Sequence, residues 1–376
     1  MKHYPLLFIL LVITTISGCQ FRKSADTVES VKVEFPSNSD DFFDIVQQIT
    51  LIPLETAIDF LIAGSPNLEI YNDDFFIIDN RVTHTIYRYS KDGRFLNRIG
   101  AKGRGPEEYN AIGSVAIEDD IVYIYSHPDI SEYKYNIDGI FISNHIYDFS
   151  GGWTAITPIN EGYLIYRGFG MGDNVPRFEV RDKTFQKTGS FLNTSAKVIN
   201  FTEEVSPFSK NGDFIHTRET YMDTIYTFTP DHIMTLRYVF DMGKYSIPID
   251  FFNFSDAFQA MEHLMKRPFA VIYRYLESDK YAFIEILVQG KEIPDFIYGI
   301  YRKESGEWKW ANFGDPNDYP FSASIRLLKG EKLYCLLDPV KLKNLTKRER
   351  SSIVNADLLN SVNENDNFII AEIKLK

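Results

Sequence analysis

The 376-residue chain is poor in the residues on which disulfide scaffolds, metal sites and nucleotide sites are built. Its two cysteines, Cys19 and Cys335, are too few for a disulfide framework. Histidines stand at 3, 84, 127, 145, 216, 232 and 263, with no pair at the i, i+4 spacing of a helical zinc site. No metal ligand is assigned, and each histidine is expected to be solvated or hydrogen-bonded structurally. No Walker lysine followed by Ser or Thr appears, and no glycine fingerprint opens a helix, so no cofactor is implied. Positive charge is in deficit: 40 Lys and Arg against 52 Asp and Glu leave a formal charge of −12. That balance argues against nucleic acid and against an anionic membrane as electrostatic partners. Long hydrophobic runs are lacking too: Leu6–Ile13 is far short of the roughly 20 residues needed to span a bilayer.

Lys2 and His3 lead into that short apolar stretch, which is followed by Ile16-Ser17-Gly18-Cys19. The pattern resembles the lipobox of bacterial lipoproteins, in which small residues flank the cut and a free thiol takes the lipid. The expectation is a signal peptide over 1–18, lipidation of Cys19 and a lipidated tether over 19–41; an ordinary secreted protein with a chance cysteine is the alternative. The signal for inner-membrane retention is an aspartate after the cysteine, and here Gln20 stands there, which favours the outer membrane. Surface lipoproteins often carry acidic residues next, whereas Phe21-Arg22-Lys23-Ser24 is basic, which favours a periplasm-facing position over surface exposure. Cys335 then remains alone within the apolar run Leu333-Tyr334-Cys335-Leu336-Leu337, where burial raises a thiol pKa and makes it inert.

What the chain has in abundance is aromatic and β-branched sequence, with 30 Phe and 23 Tyr, broken by short polar turns. Leu68–Tyr71 turns at Asn72-Asp73-Asp74 into Phe75–Asp79, and Val115–Ile117 turns at Glu118-Asp119-Asp120 into Ile121–Tyr125. The pattern recurs at 155–166, 205–216, 270–285 and 325–336. Most of these hairpins are followed by a second pair of strands, with turns such as Lys91-Asp92-Gly93 and Asp138-Gly139, where glycine supplies positive φ. Units of four strands at intervals of roughly 40 to 65 residues are propeller blades. The last unit is one strand short after Phe368–Ile373, and Ile49–Leu54 can supply it as an outer edge, where Pro53 is tolerated. The expected fold is all-β: a six-bladed β-propeller of four-stranded antiparallel blades over 42–376. Two short helical insertions are expected, one over 255–265 with Phe258, Met261 and Leu264 on one face, the other behind Asp338-Pro339 with a capping box at Thr346–Glu349.

The run Gly103-Arg104-Gly105-Pro106-Glu107-Glu108-Tyr109, together with Ile52-Pro53-Leu54-Glu55 and Tyr87–Gly93, resembles the six-bladed propeller lipoproteins of Bacteroidetes, relatives of the NHL-repeat propellers. The resemblance implies architecture and envelope location, not an activity.

The glycines at 100–105 are expected to carry the chain from an outer strand to the next inner strand, with Arg104, Glu107 and Glu108 as a candidate contact for a ligand or partner near one mouth of the ring. No catalytic residue is assigned, because most carboxylates sit in turns that favour Asp for local reasons. The functional expectation is a monomeric envelope propeller that binds an envelope protein or glycan-type ligand without catalysis, touching the membrane only through its lipid. The alternative is a hydrolase or lyase acting on carbohydrate or lactone in the central channel, with or without a metal.

Overall fold

The computed structural model describes residues 29–376 apart from 129, 150–151, 169–174, 195–204, 255 and 291–294. The expected signal peptide, Cys19 and the first part of the tether therefore lie outside the described residues. Six antiparallel sheets form the blades of one ring. Blade 1 holds Asn67–Tyr71, Asp74–Asp79, Thr85–Tyr89 and Phe95–Ile99, from the channel outward. Blade 2 holds Ile112–Glu118, Ile121–Ser126, Ser131–Asn136 and Phe141–Ile146, and blade 3 holds Ala155–Ile159, Gly162–Tyr166, Val175–Asp182 and Lys187–Thr194. In blade 4 the order is Phe208–Asn211, Phe214–Arg218, Thr224–Phe228 and Met234–Asp241; in blade 5 it is Phe269–Glu277, Tyr281–Gln289, Asp295–Arg302 and Glu307–Asn312. Blade 6 holds Ile325–Lys329, Lys332–Leu337 and Ile369–Leu375, with Val46–Pro53 outermost.

The second strands explain why the blades stack. Side chains alternate across a strand, and here both faces are buried. Phe75 and Ile77 pack towards blade 6 while Phe76 and Ile78 pack towards blade 2. Likewise Leu333 and Cys335 face blade 5, and Tyr334 and Leu336 face blade 1. A run of consecutive apolar residues is thus shared between two interfaces, and each fully buried Ile or Phe contributes about 1.5–3 kcal/mol to them.

Closure follows the expected pairing, with Ile49 opposite Ile373 and Pro53 opposite Ile369. The outer edge that this strand leaves is covered rather than bare. Asn355 accepts from the Leu51 amide at 3.0 Å and donates to its carbonyl at 2.8 Å, and the Val354 amide donates to Ile49. Gly93 is required where it stands: its φ is +82°, and a Cβ there would lie 2.0 Å from the Pro53 carbonyl oxygen.

Four details differ from the sequence reading. Part of the stretch read as tether is paired: Glu29–Lys32 runs parallel to Met234–Asp241 as a fifth strand of blade 4, because Val31 and Val33 alternate inward and are buried. A helix at Asp40–Ile45 precedes the closing strand, pinned by Phe42 and Phe43 against Phe313 and Phe321. The first strand of blade 4 begins at Phe208, three residues later than expected, after Pro207, which has no amide to give a ladder. The helix Ala257–Leu264 packs Leu264 and Met261 inward as expected, with Ala260 beside them, but leaves Phe258 86% exposed. The capping box at Thr346 forms as expected, and Asp338 caps the turn over Pro339–Asn344. Among the described residues, no helix is long and apolar enough to cross a membrane.

Candidate functional site

The first strands of all six blades enclose a central cavity of about 240 Å³. Its two ends differ in chemistry. At one end, Arg274 of blade 5 and Arg326 of blade 6 stand in the wall, and both occur at irregularities in their strands. The ladder of blade 5 slips between Ile272 and Arg274, and that of blade 6 between Ile325 and Leu327. Such bulges re-aim side chains. Behind them lies Glu285, fully buried and opposite Arg274 in the ladder, accepting from Arg274 Nε at 3.3 Å. Arg326 donates through Nε to the Pro66 carbonyl at 2.8 Å, through Nη1 to the Ala323 and Ile325 carbonyls, and through Nη2 to Ser65 Oγ. Burial, and then the neighbouring Arg274, push the Arg326 guanidinium down to about 10. Burial also raises the Glu285 carboxyl above its usual range against the pull of both arginines.

At the other end the charges are balanced. Lys210 of blade 4 reaches Glu118 of blade 2 at 2.6 Å. Glu69 of blade 1 is wetted from the channel but enclosed by protein, and this burial pushes its carboxyl up to about 7 against Lys210 and Lys329. A larger recess of about 750 Å³ opens beside this end, over blades 2 to 4. In its wall Glu132 takes Lys134 at 3.0 Å and the Tyr163 hydroxyl at 3.3 Å, and Tyr163 is joined in turn to Tyr147 at 2.7 Å.

The blades, their order and the closure define the architecture, and a family model described as a domain of unknown function, DUF4934, matches residues 29–374. The chain belongs to the DUF4934 family. A candidate exported protein from Bacteroides fragilis has a similar structure, with a TM-score of 0.76 and 19% identity over 93% of this chain and 100% of that one. A member of the DUF4221 family from Bacteroides vulgatus is similar with a TM-score of 0.56 and 12% identity, over 88% and 97%. At such identities the likeness is one of fold. No curated protein matches the chain.

In this DUF4934 protein the run 100–109 does cross from the outer strand of blade 1 to the inner strand of blade 2. Arg104 and Glu107 are exposed on it, whereas Glu108 folds back and accepts from the Gly105 amide at 2.8 Å. The crossover is tied to blade 2 by the Tyr135 hydroxyl on the Glu107 carbonyl and by Asn144 on the Pro106 carbonyl. None of Arg104, Glu107 and Glu108 lines the central cavity. The residues that do give the cavity its charge include Arg274, Arg326, Glu69, Lys210 and Glu118, and none of them is a candidate site residue in the sequence analysis. A signal was there: an arginine interrupts an otherwise apolar or aromatic first strand in two successive units. Among the described residues no group of three or more His, Cys, Asp or Glu converges as a metal-ligand set.

Proposed function

We propose that this protein is a cell-envelope lipoprotein, held through Cys19 at the outer membrane and facing the periplasm, whose propeller binds a small ligand in the central channel without turning it over. The observation that carries the reading is the cavity itself, enclosed by all six first strands and charged at both ends. At about 240 Å³ it is smaller than the roughly 300–1,000 Å³ of drug-sized pockets, so its occupant is small. Two of the carboxylates at the channel are engaged by cations, Glu118 by Lys210 and Glu285 by Arg274, rather than set against each other as an acid and a base. The exported character of the Bacteroides fragilis relative agrees with the location.

Amide hydrogen exchange of the purified mature protein with small sugars and sugar acids tests it. Slowed exchange in the first strands of the blades is expected; protection confined to 100–109 would move recognition to the rim around Arg104 and Glu107. A catalytic reading rests on Glu69, whose carboxyl near 7 suits a general acid or base. Hydrolysis of a lactone or glycan that is lost in Glu69→Gln would replace binding by catalysis. Anchoring is tested separately: Cys19→Ala should abolish palmitate incorporation and membrane fractionation.

A further inference from the structure

A guanidinium has five N–H donors. Arg274 is only 6% exposed and stands in the cavity wall, and among the described residues it uses one of its donors, Nε, in a 3.3 Å contact with Glu285. Its two Nη groups find no protein partner there, although neither is sealed from the cavity. Arg326 beside it is different, because Pro66, Ala323, Ile325 and Ser65 take its donors while leaving its charge in place. Two guanidiniums thus share one carboxylate, and the wall keeps an excess of one positive charge. An arginine serving only to brace Glu285 would meet it with both prongs of the fork; this one meets it edge-on with a single long contact.

We propose that the central cavity binds the oxyanion of a small ligand, a carboxylate or a phosphate, on the Nη fork of Arg274. This rests on the central-channel reading above and adds the ligand's chemical class. The fork matches the spacing of two oxygens on one carboxylate or phosphate, a match that lysine lacks. Desolvated in the wall, it gains from a counter-ion far more than an exposed arginine does. The opposite end of the cavity, where Lys210 already holds Glu118, has no comparable excess, so the charged group lies at the arginine end.

The probes are galacturonate, its neutral counterpart galactose, and inorganic phosphate, added to the mature protein and read by thermal melting and amide exchange. Galacturonate or phosphate should raise the melting temperature saturably and slow exchange in the first strands of blades 5 and 6, and galactose should not; whichever anion acts identifies the source of the oxyanion. Arg274→Lys, which keeps the charge and loses the fork, should weaken binding roughly tenfold. The paired variant Arg274→Met with Glu285→Gln removes one charge of each sign and leaves Arg326 on the oxygens of Pro66, Ala323, Ile325 and Ser65, so it should fold and, lacking the free fork, bind neither anion. Galactose protecting the first strands as well as galacturonate would overturn the oxyanion class and leave the channel reading standing. Failure of both anions to bind, or binding that survives in the paired variant, overturns the proposal. Protection by any probe confined to 100–109 removes both readings.

Discussion

Blade 5 contains two buried carboxylates, Glu277 and Glu285, and they are treated in opposite ways. Glu277 is saturated: Lys303 reaches it at 2.6 Å, Arg237 at 2.8 Å, the Tyr275 hydroxyl donates to it, and His216 lies 3.5 Å away. Despite its burial its pKa falls below the usual range, held there by the Lys303, Tyr275 and Arg237 donors while His216 stays neutral. Glu285 takes a long contact from Arg274 and a hydrogen bond from the Tyr298 hydroxyl, and burial still wins, raising its pKa. A closed network of this kind is a brace between blades 4 and 5. An open one, in which a buried cation keeps idle donors, has room for something the protein does not supply. Buried polar groups are normally paired, so the unpaired fork is the informative one.

The largest effect should come from breaking the closed network. Glu277→Gln removes the acceptor shared by Arg237 and Lys303, both of which reach solvent, and should cost about 1.5–3 kcal/mol, seen as a fall in the urea midpoint. Glu285→Gln should cost clearly less in the same assay, since its carboxyl is already pushed towards the neutral form. Equal losses would erase the distinction between the two sites.

The closed network and the channel carboxylate Glu69 should also respond to pH with opposite signs. Glu277 has a depressed pKa, so its stabilisation is present above the unfolded value of 4.5 and is lost as pH falls through its folded value. His216, pushed down to about 4 by burial, stays neutral when folded while the unfolded chain protonates near 6.5. Stability from this group therefore falls as pH drops from 6.5 to 4. At the channel, Glu69 runs the other way. Its carboxyl near 7 is protonated in the folded state over a range where the unfolded chain is ionised, so stability declines as pH rises from 4.5 to 7. Glu69→Gln should thus raise the melting temperature more at pH 8 than at pH 5, and His216→Asn should flatten the acid limb; the reverse pattern would refute these assignments.

Smaller effects mark the edges of the comparison. Glu108→Ala removes the cap on the Gly105 amide at a partly exposed loop and should cost about 1 kcal/mol or less, with ligand protection in the first strands unchanged. Cys335 is buried and its thiol is pushed up to about 12, so iodoacetamide should label it only as fast as the protein unfolds. Rapid labelling of native protein would place it outside the sealed interface of blades 5 and 6.

Much of the fold was legible because its signals are local. Asp and Asn at the hairpins adopt left-handed backbone at Asn72, Asp73, Asp119 and Asp120, the conformation that such residues tolerate in tight turns. Pro53 pointed to an edge strand, and the capping box at Thr346 formed as written. The strand at Glu29–Lys32 was missed although Val31, Val33 and Phe35 alternate, because four residues carry too little pattern to separate a short strand from a tether. The exposed Phe258 shows the same limit in a helix: periodicity places it with Met261 and Leu264, and packing on Phe251 and Phe269 takes only the latter two.

By itself, then, the sequence determined the repeating hairpins, the number of blades and the strand that closes the ring, since turn chemistry and side-chain alternation act over a few residues. Only the tertiary structure decided which charges share the channel. Arg274 and Arg326 are separated by fifty-one intervening residues, Glu69 comes from the far end of the chain, and their meeting depends on ring closure and on two bulges whose register no local pattern specifies. Whether a buried arginine there is a brace or a binding group depends on how many donors its neighbours fill, and the fold sets that number through the positions of Glu285, Pro66 and Ser65.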